Sequence, residues 1–280
     1  MTSAVLITGC SSGIGRALAE ELHRRDLLVY ATARRVETLG DLQARGIRTA
    51  ALDVNDAASV DALMARLRED GATVEMLINN AGYGAMGPLA ELPIDELRVQ
   101  FETNVFAVVA LIQAVLPDMA ARRSGRIVNV GSVSGVLPTP FAGAYCATKA
   151  AVHALSDSLR VELEPFGIRV ITVQPGAVQS QFGATAGSGV ARRQEQPSLY
   201  APVRDAIAAR SQASQEGPTP TEDFARQMAD AVLARNPRPV VRIGRRSSLL
   251  PLMKRWLPTR MLDRALRRRF ELHRLQGREQ

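Results

Sequence analysis

The chain has 280 residues, 46% of them hydrophobic and 22% charged, enough for one large or two small globular domains. Its two cysteines, Cys10 and Cys146, exclude a disulfide framework. The net charge of +7 excludes a nucleic-acid-binding body, because it sits in the tail: residues 245–280 hold 11 Lys/Arg against 3 Asp/Glu (+8), and the rest hold 24 against 25 (−1).

The opening residues Met1 to Gly9 lack a basic n-region and a long apolar h-region, so no signal peptide and a cytoplasmic location are expected. Short apolar runs then alternate with amphipathic stretches. Strands are predicted at 5–8, 28–33, 48–52, 76–79, 126–131 and 169–173, and helices near 13–24, 57–69, 97–119 and 144–164. Strands apolar on both faces, alternating with helices, predict a doubly wound α/β fold with a parallel sheet covered on each side. Ligands of such sheets bind beyond the carboxyl ends of the strands. The most apolar run, 105–116, is interrupted by Gln113 and stopped by Pro117. It is too short to span a bilayer and reads as a buried helix.

Residues 179–221 are rich in Gly, Ala, Ser, Gln and Pro. They read as a substrate loop or lid with one short helix near 198–211, or as a plain surface insertion. A helix at 222–235 and a last strand at 239–243 complete a domain over 1–244. The extension 245–280 mixes arginines with Leu249, Leu250, Met253, Trp256, Leu257, Met261, Leu262, Leu266 and Phe270. It is a basic helical segment with two readings: contact with a membrane surface, or packing against the body or another subunit.

The first predicted strand runs into Thr8-Gly9-Cys10-Ser11-Ser12-Gly13-Ile14-Gly15, which opens a helix. Glycines there allow a tight turn and close backbone approach, and a helix N-terminus attracts a pyrophosphate. A cofactor without a 2′-phosphate calls for an acid at the end of the second strand. The chain instead has Arg34, which suits a 2′-phosphate and favours NADP(H) over NAD(H).

Only two lysines occur, and Lys149 follows Tyr145 by four residues. On a helix such residues share one face. A fixed positive charge about 5 Å from a phenol, at an effective dielectric of about 20, is worth roughly 3 kcal/mol. That draws a pKa of about 10 toward the range of a general acid or base.

These motifs, in this order, resemble the short-chain dehydrogenase/reductases, in their single-domain Rossmann branch, over roughly residues 3–180. The turn at 8–15 matches the family's cofactor motif. Asp53, with Val54 beside it, matches the acid that contacts adenine. Asn79 precedes Asn80, Ala81 and Gly82, which match the segment lying along the cofactor. The resemblance implies a catalytic set of Asn104, Ser132, Tyr145 and Lys149. It also implies that Pro175, Gly176, Val178 and Ser180 hold the nicotinamide; Ser180 stands where the family often has threonine. Gly131-Ser132-Val133-Ser134-Gly135, Pro140-Phe141 and Leu116-Pro117-Asp118-Met119 look like the 17β-hydroxysteroid and retinol dehydrogenase branch and the acyl-dihydroxyacetone-phosphate reductases.

That likeness implies an NADP(H)-dependent oxidoreductase acting on a bulky apolar carbonyl or alcohol. It also implies a homodimer or homotetramer formed through the helices near 105–116 and 152–163. The alternatives are a non-catalytic NADP(H)-binding regulator and a lipid-surface protein. Val133, not serine, centres residues 131–135, so a hydrolase elbow is excluded. His23, His153 and His273 are isolated, so no metal site or triad is expected. Cys146 is expected to be a packed residue.

Overall fold

The computed structural model describes residues 2–193 and 197–275. Strands β1 (Thr2–Ile7), β2 (Leu28–Ala33) and β3 (Arg48–Ala51) alternate with helices α1 (Gly13–Arg24), α2 (Gly40–Ala44) and α3 (Ala57–Glu69). Strand β4 (Ala72–Asn79) leads to α4 (Ile94–Phe101), a π-helical turn (Glu102–Phe106) and α5 (Ala107–Arg122). Strand β5 (Gly125–Val130), α6 (Gly143–Leu163) and β6 (Ile168–Pro175) follow. The chain continues with α7 (Phe182–Arg193), α8 (Arg204–Gln212), α9 (Thr221–Leu233) and β7 (Val240–Ile243). Helices α10 (Leu249–Trp256) and α11 (Thr259–Arg269) form the tail.

All seven strands are parallel, in the order β3-β2-β1-β4-β5-β6-β7. The chain builds outward from β1 to β3, then returns past β1 to start the other half at β4. The carboxyl ends of β1 and β4 therefore diverge and open a crevice. One face of the sheet is covered by α1, α2 and α9. Leu18 and Leu22 of α1 and Phe224, Met228 and Val232 of α9 recur at helical spacing and are buried there. The other face is covered by α3 and α5, through Val60, Leu63, Leu67, Leu111, Ile112 and Val115.

A third cluster lies at the carboxyl end of the sheet and joins Phe141, Cys146, Val190, Val203 and Ile207. Cys146 is the packed residue expected of it.

Two expectations need correction, and one of the two readings of the tail is borne out. The predicted helix 97–119 is a continuous helical run, Ile94–Arg122, long and apolar enough by length and composition to cross a membrane. Its inward residues are part of the core. Pro117 ends the apolar run but lies inside the helix, as it does in the predicted helix 97–119. That residue lies on the exposed side, where the carbonyl left without a donor meets water.

The stretch 179–221 is not a loop with one helix, because α7 occupies its first half. Its glycines serve close packing. A Cβ at Gly183 would lie 2.8 Å from Gln212 Oε1 of α8, and one at Gly187 2.9 Å from Gln212 Nε2.

The tail packs on the body. Leu262 is buried, Phe270 meets Phe141 edge-on at 6.0 Å, and Arg246 and Arg269 pair with Glu216 at 3.7 and 3.4 Å. Leu249, Leu252, Trp256 and Met261 remain exposed on its outer side.

Candidate active site

The crevice between β1 and β4 continues into a cleft of about 1370 Å³ that runs to the tail. The glycine turn forms one end. Gly9 and Gly13 have φ of +74° and +58°, a left-handed conformation that other residues adopt only at a cost. Gly9, Ser11, Ser12, Gly13 and Ile14 line the cleft. Gly15 lies beneath it, and a Cβ there would stand 2.5 Å from both Asn80 Nδ2 and Gly9 O.

The turn fits an anionic dinucleotide. Ser12 caps α1 with extended backbone, but its side chain takes none of the helix's first N–H groups, and the first turn holds no acid. Those donors and the positive end of the helix dipole are left for a pyrophosphate. Arg34 stands exposed on the rim with no ion-pair partner among the described residues. Asp53 and Val54 line the same end, and the Asp53 carboxylate accepts from Asn55 N at 3.0 Å.

Asn80 ties the turn to β4. Its Nδ2 donates to Thr8 O at 2.9 Å and Gly9 O at 3.2 Å, while Asn80 N and Ala81 N donate to Thr8 Oγ1 at 3.0 and 2.9 Å. Ala81 and Gly82 continue the cleft wall. Pro175, the last residue of β6, and Gly176, Val178 and Ser180 beyond it close the cleft from the opposite side. A Cβ on Gly13 would come within 3.1 Å of Ser180 Cβ.

Ser132, Tyr145 and Lys149 meet in the middle of the cleft. Ser132 follows β5 and caps a short turn, its Oγ accepting from Ser134 N at 3.1 Å. Tyr145 and Lys149 stand one turn apart on α6, with Lys149 Nζ 5.9 Å from the phenol ring centroid. Lys149 is buried and donates to Val130 O at 2.7 Å.

The structure does not bear out the expected lowering of the phenol pKa. Burial pushes Tyr145 up to about 12, against the hydrogen bond from Ser132 and the charge of Arg210. Burial also brings Lys149 down to about 8. Desolvation of both groups therefore outweighs the attraction assumed from their spacing.

Asn104 is not on the cleft wall. It lies buried in the π-helical turn behind Gly82, accepting from Tyr83 N and donating to Tyr83 O and Thr148 Oγ1.

Sequence reasoning missed three neighbours of this site. Phe182 tilts over the Tyr145 ring at 5.0 Å, and its aromatic type amid small residues was the only signal. His153, read as isolated, reaches back one turn from Lys149 so that its Nε2 accepts from Ser132 N at 3.4 Å. No local pattern marks Arg210, on α8, whose Nε donates to Thr139 Oγ1 at 2.9 Å.

A Rossmann sheet with a glycine turn at its switch point, and a Ser-Tyr-Lys set beyond it, is the frame of a nicotinamide oxidoreductase. Residues 3–190 match the short chain dehydrogenase family, and the chain belongs to it. That family binds a nicotinamide cofactor. The human 17-beta-hydroxysteroid dehydrogenase type 1 is 42% identical over 192 residues, covering 64% of this chain and 58% of that one. The NADPH-dependent 3-dehydrocapnine reductase of Ornithobacterium rhinotracheale is 29% identical over 92% of this chain and 94% of its own. A solved short-chain dehydrogenase from Streptomyces avermitilis superimposes with a TM-score of 0.79, at 31% identity, over 99% of each chain.

His153 gives the site a pH signature. Burial first, then the charge of Lys149, holds its pKa down at about 4, from an ordinary 6.5. Between those values the unfolded chain binds a proton that the folded chain refuses. Stability therefore rises with pH across this window and is lost as pH falls through it. Urea unfolding at several pH values should show a shallower dependence between pH 4 and 6.5 in His153→Gln than in the parent. Identical slopes would mean that His153 is protonated in the folded chain.

Proposed function

We propose that the chain is an NADP(H)-dependent reductase, or the corresponding dehydrogenase, of a bulky apolar ketone or alcohol. The observation that carries this is the convergence of Ser132, Tyr145 and Lys149 between a turn suited to a dinucleotide and an apolar chamber under α7, α8 and the tail. Two relatives add support: the human one is named for a hydroxysteroid, and the Ornithobacterium one is named as NADPH-dependent.

A bound nicotinamide supplies hydride to a carbonyl carbon, or takes it from a carbinol carbon. Tyr145 handles the proton at the substrate oxygen. Its raised pKa keeps it protonated at neutral pH, ready to give that proton as the carbon is reduced. In the reverse direction it accepts the proton. Ser132 donates a hydrogen bond to the same oxygen and fixes it beside the phenol. Lys149 supplies positive charge behind the phenol and is the residue to hold the ribose hydroxyls of the cofactor. Asn104 acts as a positioning residue, holding the Tyr83 backbone and Thr148 of α6 behind Gly82. A non-catalytic sensor has no use for this proton-transfer set.

Tyr145→Phe keeps the ring and removes only the proton. Its kcat for NADPH-driven ketone reduction is expected to fall by about a hundredfold or more, the scale of a lost general acid, with NADPH affinity nearly unchanged. Near-normal turnover would sink the mechanism.

Arg34→Ala removes the guanidinium proposed to pair with a 2′-phosphate. Titration should show NADPH binding weakened by about 1.5–3 kcal/mol and NADH binding little changed. Equal losses for both cofactors would move the 2′-phosphate contact elsewhere.

A further inference from the structure

The apolar end of the cleft contains one feature that a purely hydrophobic substrate does not explain. Met86, Leu137, Phe182, Ala206, Leu262 and Phe270 give it the lining expected of an apolar chamber. Arg210 enters that lining from α8, next to the catalytic phenol.

Its surroundings do not neutralise it. Nε donates to Thr139 Oγ1, which fixes one edge of the guanidinium. No carboxylate pairs with it among the described residues. Glu216 is engaged by Arg246 and Arg269, and Glu271 by Arg274. Asp205, on the same helix and also along the cleft, makes no ion pair with it. The two Nη groups have no protein hydrogen-bond acceptor among the described residues. Burial lowers the guanidinium pKa, yet from so high a starting value the group stays charged at neutral pH. Its charge acts on Tyr145 and Cys146.

A half-buried guanidinium with a fixed Nε and an unspent pair of Nη donors open to the cleft is the arrangement that binds an oxyanion bidentately. Beside the phenol and among Met86, Leu137, Phe182 and Ala206, a cation with free donors is placed to pair an anionic group on an otherwise apolar ligand.

We propose that Arg210 is an oxyanion-recognition residue of the substrate chamber, so that the preferred substrate is an apolar chain carrying a carboxylate, phosphate or sulfonate a few bonds from its reacting carbonyl. The proposal rests on the reductase reading given above. Tyr145 and Ser132 take the carbonyl oxygen, Arg210 takes the anionic group, and the apolar walls take the chain. Thr139 sets the plane of the fork. Arg210 thereby selects among ketones and leaves the proton transfer to Tyr145.

The test compares charged and neutral versions of one ketone with the NADPH-loaded enzyme. The probes are β-ketodecanoate and its methyl ester, and a β-ketophosphonate of the same chain length and its dimethyl ester. The parent is expected to favour each anion over its ester by about tenfold or more in kcat/KM, the scale of a charge-assisted hydrogen-bonded pair. Arg210→Gln should erase that preference, read as the anion-to-ester ratio within each variant so that any common effect through Tyr145 cancels. Arg210→Lys should recover part of it, since charge returns without the fork. Which anion is favoured more separates carboxylate from phosphorus oxyanion. An equal loss on anion and ester in both variants would make Arg210 a strut between α8 and the Thr139 loop and overturn the proposal. So would a parent that prefers the esters. If the parent turns over none of these ketones, it is the reductase reading that fails. Calorimetric binding of decanoate and decanol to the NADPH-loaded protein then decides the site. Weakening of decanoate alone in Arg210→Gln supports it, and unchanged decanoate binding overturns it.

Discussion

The site depends on the joint between the carboxyl ends of β1 and β4. Four hydrogen bonds made there by Thr8, Asn80 and Ala81 hold the two strand ends in register just where the chain's two halves part. At about 0.5–1.5 kcal/mol each they are modest singly. Their effect is geometric. With Thr8 and Gly9 fixed, the glycine turn has one path into α1, and Gly15 must be glycine because Asn80 and the Gly9 carbonyl fill the space of a Cβ. The same joint delivers Ala81 and Gly82 to the cleft wall, directly in front of Asn104 and Lys149. The glycine turn and the Ser132-Tyr145-Lys149 set are thus aligned by one set of side-chain-to-backbone hydrogen bonds.

Within that frame, electrostatics are governed by burial. Tyr145 and Lys149 stand near each other as the i and i+4 spacing requires, but both are desolvated, and each is driven toward its neutral form. A phenol protonated at neutral pH is a competent acid for carbonyl reduction. His153, kept neutral by burial beside Lys149, accepts from the Ser132 backbone N–H and so steadies the third member of the set.

The sheet and the proton-transfer set were legible because their signals are local. Apolar runs, a glycine turn between a strand and a helix, and a Tyr-to-Lys helical spacing each declare themselves within a few residues. Strand edges extended by a few residues in the structure, as in β4 from Ala72 rather than from residue 76, because pairing with β1 continues beyond the apolar run. The stretch after Ser180 was not legible. Its glycines and alanines look like loop composition, yet Gly183 and Gly187 face Gln212 of α8 and Ala186 is buried in the cluster beside it. Arg210 and the inward face of the tail have meaning only once distant segments meet. No spacing links Arg210 to Thr139 or Phe270 to Phe141. Asn104 was found by its motif, but only the fold reveals that its amide is spent on Tyr83 and Thr148.

If the β1–β4 joint shapes the cofactor site, Asn80→Ala must weaken that site while leaving the fold intact. NADPH binding to the variant should be measured by fluorescence titration, alongside far-UV circular dichroism and urea unfolding. The expected result is a folded protein whose affinity for NADPH falls by about tenfold or more, since the turn loses its tie while the cores that hold the sheet are untouched. A folded variant that binds NADPH within about twofold of the parent would contradict the account.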